Sequence, residues 1–404
     1  QALQNIQNPG CGPMLSLCHI VLLPRRRSPP PIDFSRPIIS DAASFDKRAC
    51  AAALFSNRRD FTRSSLDIQR RFVILKPVFR APPVRFQNLT PRVWSQRSRG
   101  RMKEDFSMNA AYLTPAITLF NEDGTLDLAS QERLFNNLID QGVDGILVEG
   151  SSSEFFAMPM NQRREMAKFA IEKIDHRVKL IIGTSHMVAD EIISFSNFCL
   201  DAGADAVMIL PPYYFHFGPS ALLQYYDRLA EQIHGDIYIY NFPDNTGYTI
   251  PPETVLALAK MHPNIVGMKD TVPGMDHTRE LIKVVKSQIP QFEIYSGFDD
   301  NFAHNVLSGG NGCIGALSNV VPEICAAWVR AFRENDLAGI ARGQQTIDHL
   351  MDLYAIRSPF LPVIKEACRL RGIAATSAGT FPMPSATVED DARILELLNR
   401  EGVQ

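Results

Sequence analysis

From Ala111 onward, short apolar runs alternate with longer amphipathic stretches. The β-type runs are 114–120, 145–150, 179–184, 206–212, 236–243, 265–271, 292–297 and 313–317. Between them, apolar positions recur at helical spacing over 130–141, 161–174, 189–202, 220–234, 252–261, 276–287 and 300–307. Strands that alternate with helices imply βα units and a parallel sheet. Eight such units within about 210 residues suit a closed α/β architecture, the (β/α)8 or TIM barrel. A doubly wound open sheet is the competing arrangement. It usually carries a glycine-rich phosphate turn after its first strand, and Phe120-Asn121-Glu122-Asp123-Gly124 is not one. Three further helical patterns follow the eighth run: 322–334 with 337–353, 362–371 and 388–401. Pro359, Pro362, Pro382 and Pro384 punctuate them. The pattern therefore predicts a barrel over 108–320 and a C-terminal three-helix extension over 321–404.

Residues 1–107 lack sustained periodicity and differ in charge. They hold 19 Lys and Arg against 7 Asp and Glu, although the whole chain of 404 residues has a net charge of −3. Sixteen of those basic residues are arginine, and the Arg/Ser stretch Trp94-Ser95-Gln96-Arg97-Ser98-Arg99-Gly100-Arg101 is typical of the segment. Three readings stay open: an organellar transit peptide, a basic nucleic-acid-binding tail, or upstream sequence translated with the protein. The change of composition near Met102 and Met108 favours the last, and disorder is expected here. Aromatic and basic residues do not interleave as a single-strand binder requires, so no nucleic-acid partner is expected. The seven cysteines are scattered without a CxxC pair, so reduced thiols and no metal are expected. No apolar run approaches the length of a membrane span, and a cytoplasmic protein is expected unless residues 1–107 are a transit peptide.

In a barrel of this kind, chemistry sits at the C-terminal ends of the strands. The sixth run, Ile265-Val266-Gly267-Met268-Lys269-Asp270-Thr271, ends in an amine. Burying an amine favours its neutral, nucleophilic form, which can attack a carbonyl and form a Schiff base. The alternative is a lysine snorkelling from a strand end into solvent. The second run ends in Glu149-Gly150-Ser151-Ser152-Ser153-Glu154, whose hydroxyls and N–H groups can hold a carboxylate or simply cap the next helix. The fourth ends in Pro211-Pro212-Tyr213-Tyr214-Phe215, a tyrosine pair that can carry protons or pack as ordinary aromatics. The fifth ends in Tyr240-Asn241-Phe242-Pro243, where the Tyr240 hydroxyl can relay protons near Lys269 or sit satisfied in the core. The seventh ends in Ser296-Gly297-Phe298-Asp299-Asp300, with paired carboxylates suited to sugar hydroxyls, to a metal or to helix capping.

Taken together, the GxxxE turn, the PYY motif, YNxP with a following TG, and GMKDT resemble the dihydrodipicolinate synthase / N-acetylneuraminate lyase family of class I, Schiff-base aldolases. The similarity runs from about Ala111 to the C-terminus. The resemblance implies that Lys269 forms a Schiff base with pyruvate or another 2-keto acid and that Tyr240 relays protons. It implies that Ser151 and Ser152 bind the keto-acid carboxylate and complete the relay. It further implies that Tyr214 reaches the neighbouring subunit's site in a homotetramer built as a dimer of dimers. Thr271, Gly297, Asp299 and Asp300 fall where sugar-acid lyases contact substrate. No cofactor is implied.

Departures from the family pattern narrow the substrate. Dihydrodipicolinate synthases place a carboxylate-binding arginine where this chain has Asn245, and an amide cannot replace a bidentate guanidinium. Ala316, where sialate lyases have serine, counts against sialic acid. The stretches 240–247 and 297–301 are most similar to 2-keto-3-deoxy-sugar-acid aldolases. Reversible retro-aldol cleavage to pyruvate and an aldehyde is the expected reaction. A 4-hydroxy-2-oxoglutarate aldolase, a dihydrodipicolinate-type condensation, a sugar-acid dehydratase and a non-catalytic binding barrel are the alternatives.

Overall fold

A computed structural model describes residues 108–403. The expectations for 1–107 lie outside the described residues. Eight parallel strands close into a barrel in chain order. They are β1 (Ala111–Pro115), β2 (Gly145–Val148), β3 (Lys179–Gly183), β4 (Ala206–Ile209), β5 (Asp236–Asn241), β6 (Ile265–Asp270), β7 (Glu293–Ser296) and β8 (Gly312–Ile314). The barrel shuts where Tyr112 of β1 pairs with Cys313 of β8. Seven helices follow the first seven strands: α1 (Leu128–Gln141), α2 (Met160–Ile174), α3 (Ala189–Asp201), α4 (Pro219–Gln232), α5 (Pro252–Met261), α6 (Asp276–Leu281, continued as a π-turn over Ile282–Lys286) and α7 (Phe302–Leu307). The expected fold is the observed one. The first strand begins and ends earlier than the apolar run suggested. Past Pro115 the Ala116 N–H still donates to the Leu147 carbonyl of β2 at 2.9 Å, and 116–120 then continue as buried loop.

The helix α8 (Pro322–Arg333) lies against α1 and β1 and completes the outer ring. It also packs along the helix that follows it, Leu337–Leu350, and so joins the barrel to the extension. The extension itself comprises α9 (Leu337–Leu350), α10 (Leu361–Leu370) and α11 (Val388–Arg400). None of the helices described is long and apolar enough to cross a membrane.

Alternate strand residues serve two cores. Tyr112, Ile146, Ile182, Val207, Ile239, Met268 and Ile294 face the helices. Leu113, Leu147, Ile181, Met208, Tyr238, Tyr240, Tyr295 and Ile314 fill the barrel. At the N-terminal mouth, Glu293 accepts hydrogen bonds from Lys179, Tyr238 and Tyr295, so polar side chains close that end.

Strand β6 departs from simple alternation. Ile265 and Met268, three residues apart, both face the helices. The register explains this: Ile237 pairs with Ile265 but Tyr238 pairs with Gly267, which leaves Val266 as a bulge. Gly267 is required there, because a Cβ would lie 2.4 Å from the Tyr238 ring. The bulge reverses the parity of the rest of the strand and turns Lys269 into the barrel.

The extension is anchored by a fully buried ion pair between Lys365 of α10 and Glu154, at the end of the serine turn after β2. Lys365 also donates to the Ala378 carbonyl at 2.9 Å. Glu154 accepts from the Thr380 N–H and hydroxyl, each at 2.7 Å. Burial lowers the Lys365 pKa from its ordinary value, with the Glu154 charge opposing. Removing one partner of such a pair strands the other charge. Lys365→Met should therefore cost about 3–5 kcal/mol in urea unfolding, and a loss below about 1 kcal/mol would show that the pair does not hold the extension.

Candidate active site

The sequence-predicted site residues converge on the C-terminal mouth of the barrel, around two paired strands. Tyr240 of β5 is the register partner of Lys269 of β6, so both side chains enter the barrel at one level. Lys269 is only 5% exposed. Its Nζ lies 4.7 Å from the centroid of the Tyr240 ring and has no ion pair or hydrogen bond among the described residues. An amine held against an aromatic face, with no carboxylate bound to it, is free to react. Phe242 stacks on Tyr240 with ring centroids 5.9 Å apart and helps to fix the phenol.

Ser151 to Ser153 form a single 3-10 turn directly after β2. The Ser151 hydroxyl lies 3.4 Å from the Tyr240 hydroxyl, so turn and phenol share one hydrogen-bonded line. Ser152 is buried beside it. Ser153 is turned away: its hydroxyl donates to the Ala116 carbonyl at 2.6 Å. The turn is bracketed by two non-glycine residues in the left-handed region, Glu149 at φ 62° and Glu154 at φ 58°. Such backbone costs on the order of 1 kcal/mol per residue and persists only where its surroundings hold it. Here each is held by a buried cation. Lys365 pairs with Glu154. Arg163 donates to Glu149 at 2.6 Å, with its other nitrogens on the Ser185 and Gly183 carbonyls. Burial outweighs Arg163 and pushes the Glu149 carboxyl up to about 7. Gly183 lets the ends of β2 and β3 meet, since a Cβ there would lie 2.1 Å from the Glu149 carbonyl oxygen.

Thr271 is 5% exposed and its hydroxyl has no partner among the described residues, an unsatisfied polar atom two residues beyond the amine. It is pressed against Gly297, where a Cβ would fall 1.8 Å from that oxygen. Asp299 corrects the sequence expectation. Its carboxylate is 1% exposed and is taken up by the Tyr112 hydroxyl, the Leu317 N–H at 3.0 Å and the Tyr354 hydroxyl at 2.6 Å. It ties β1, the turn after β8 and the extension together and has no exposed oxygen for a substrate hydroxyl. Asp300 is exposed, and the partial desolvation of its carboxyl and then the Asp348 charge of α9 raise its pKa. Asn245 is exposed in the one-turn helix Pro243–Thr246 after β5. Tyr214 is 79% exposed at the rim.

Sequence reasoning quoted Asn241 and Asp270 only as parts of motifs, and it missed His277 altogether. The structure joins all three behind the reactive pair. Asn241 donates to Asp270 at 2.7 Å, and His277 Nδ1 lies 2.9 Å from the same carboxylate. A histidine seven residues beyond Asp270 carries no spacing signal that could have announced it.

A parallel (β/α)8 barrel with an amine-centred site at the C-terminal ends of its strands is the class these observations define. The chain belongs to the dihydrodipicolinate synthetase family, whose family model matches residues 108–400. It is 35% identical over 285 residues, 70% of this chain and 93% of the other, to a protein of Escherichia coli K12 named as putative 2-dehydro-3-deoxy-D-gluconate aldolase YagE. It is also 35% identical over 291 residues, 72% of this chain and 97% of the other, to the probable 2-dehydro-3-deoxy-D-pentonate aldolase YjhH of the same organism. The crystal structure of YagE in complex with pyruvate superposes with a TM-score of 0.71 at 33% identity, covering 73% of this chain and 99% of that one. Dihydrodipicolinate synthase from Thermotoga maritima superposes with a TM-score of 0.70 at 25% identity, covering 74% and 100%. The resemblance inferred from the strand-end motifs is thus the true relationship.

The contact between Gly297 and Thr271 leaves no room for a methyl group. Gly297→Ala should displace Thr271 and cost about 1–3 kcal/mol of stability, read from thermal melting and a crystal structure. An unchanged melt with Thr271 in place would show that the packing is slack.

Proposed function

We propose that this chain is a pyruvate-releasing class I aldolase, a carbon–carbon lyase that cleaves a 2-keto-3-deoxy sugar acid through a Schiff base at Lys269. The observation that carries the reading is the buried, unpaired amine of Lys269 against Tyr240, with Ser151 in line. The names of the relatives YagE and YjhH supply the substrate class. Asn245, in place of a carboxylate-binding arginine, argues against a dihydrodipicolinate-type condensation.

In this mechanism Ser151, Ser152 and the N–H groups of their turn bind the substrate carboxylate, which sets the 2-keto carbon against Lys269. The amine adds to that carbon, Tyr240 gives its proton to the departing hydroxide, and water leaves, giving an iminium and a tyrosinate. Tyr240 takes the proton of the C4 hydroxyl, C3–C4 breaks, and the electron pair passes into the iminium as an enamine. The aldehyde departs, C3 takes up a proton, and water releases pyruvate and the free lysine. The unpartnered Thr271 hydroxyl lies beside this path and suits a substrate hydroxyl. No cofactor enters any step.

The reading includes a homotetramer in which Tyr214 enters a neighbouring site. What supports it is the exposed apolar surface of Phe156, Met187, Val188, Tyr214, Phe215 and Phe217, on the loops after β2, β3 and β4, which needs a cover. A cytoplasmic setting goes with a small, water-soluble anionic substrate.

Borohydride reduction with pyruvate should add one pyruvate-derived mass at Lys269. No adduct, or an adduct on another residue, would remove the mechanism. Tyr240→Phe should still form the adduct but turn over roughly 10²–10⁴-fold more slowly, as expected for loss of an acid–base group. Sedimentation should show a tetramer, and Tyr214→Ala should lower turnover while leaving the trapped adduct at Lys269. A monomer with full activity would exclude the shared site.

A further inference from the structure

Lys269 and Tyr240 enter the barrel, and the residues after them, Asp270 and Asn241, tie their two strands together. Asn241 is bonded on three sides: its amide N–H donates to Asp270, its side-chain oxygen accepts the Ile250 N–H at 3.0 Å, and its carbonyl accepts the Thr271 N–H at 2.8 Å. Asp270 also accepts from the Thr278 hydroxyl at 2.7 Å and faces His277 Nδ1 with both oxygens, at 2.9 and 3.0 Å. The other ring nitrogen of His277, Nε2, lies 3.0 Å from the Ile250 carbonyl. Both ring nitrogens therefore face acceptors, and only the imidazolium can donate at both.

We propose that doubly protonated His277 is a positioning residue for the reactive pair: it holds Asp270, Asp270 holds Asn241, and this tie fixes the ends of β5 and β6 on which Tyr240 and Lys269 are mounted. The role rests on the aldolase reading above.

The charged groups facing His277 are Asp270 from β6 and Glu253 from the first turn of α5, and its own helix adds only Thr278 to the network. Burial works against the imidazolium. The bonds to Asp270 and Ile250 and the charges of Asp270 and Glu253 outweigh it, so His277 keeps its proton above the ordinary value of 6.5. A group whose folded pKa is raised contributes fully below its unfolded pKa and loses that contribution as pH rises through the folded one. The tie is thus intact on the acid side and loses one of its two donors on the alkaline side.

Two variants separate positioning from simple filling of space. His277→Asn keeps a donor toward Asp270 that does not titrate, and His277→Leu removes both bonds. Each is measured for kcat and KM in substrate cleavage from about pH 6 to about pH 9, and for borohydride trapping of pyruvate. His277→Leu should lower kcat about 10- to 100-fold, with KM within about two-fold and the adduct still at Lys269, as for a small misplacement of reacting groups. His277→Asn should recover most of that loss and flatten the alkaline limb of the wild-type profile. Unchanged kcat in the Leu variant, an Asn variant no better than Leu, or an Asn variant with the wild-type alkaline limb would each overturn the role. Should the Leu variant fail to fold, the alkaline limb of the Asn variant against wild type decides. Absence of any adduct in the wild-type protein is read separately: it removes the aldolase reading and the positioning role with it.

Discussion

Whether Lys269 faces the barrel or the helices is decided by one extra residue in β6. Ile265 and Met268 must both cover the helical layer, and in a regular strand that spacing would send position 269 outward. The bulge at Val266 absorbs the mismatch. Gly267 allows it, because the space its side chain would need is occupied by Tyr238. The pairing of Tyr240 with Lys269 results directly from this shift. So does the outward aim of Asp270, which makes it available to Asn241 and His277. Inward chemistry and outward bracing are two faces of the same register.

The serine turn obeys a second constraint. Its backbone enters and leaves through left-handed residues that carry side chains, and two buried cations hold those side chains in place. Burying charges costs desolvation that their attraction barely recovers, so such pairs are poor sources of net stability. Their effect here is geometric. They fix a strained turn so that Ser151 stands opposite Tyr240. Arg163 serves two strands at once: one guanidinium bonds the end of β2 and two carbonyls at the end of β3.

Much of this was legible in the chain. The eight apolar runs announced the barrel because strands covered on both faces read as continuous apolar segments. Read as a set, the strand-end motifs put Lys269, Tyr240 and Ser151 at one mouth of the barrel, where the structure has them, although each alone had an ordinary packing explanation. Asp299 misled, since a carboxylate after a strand looks the same whether it meets solvent, substrate or, as here, two tyrosine hydroxyls from distant segments. His277 and Lys365 were silent, because their partners lie on other elements and no local period brings them together. The helix Pro322–Arg333 reads as part of the extension because nothing in its own pattern says that it packs on α1.

The bond from Thr380 to Glu154 spans 226 positions of sequence. Contacts of that separation carry a large loop-closure cost and form late relative to local ones. Most barrel strands pair with their immediate successors, but the wall also closes over a long separation, where Tyr112 of β1 pairs with Cys313 of β8. The wall from β1 to β8 can be laid down progressively, while its closure and the serine turn both wait for the later segments that complete them.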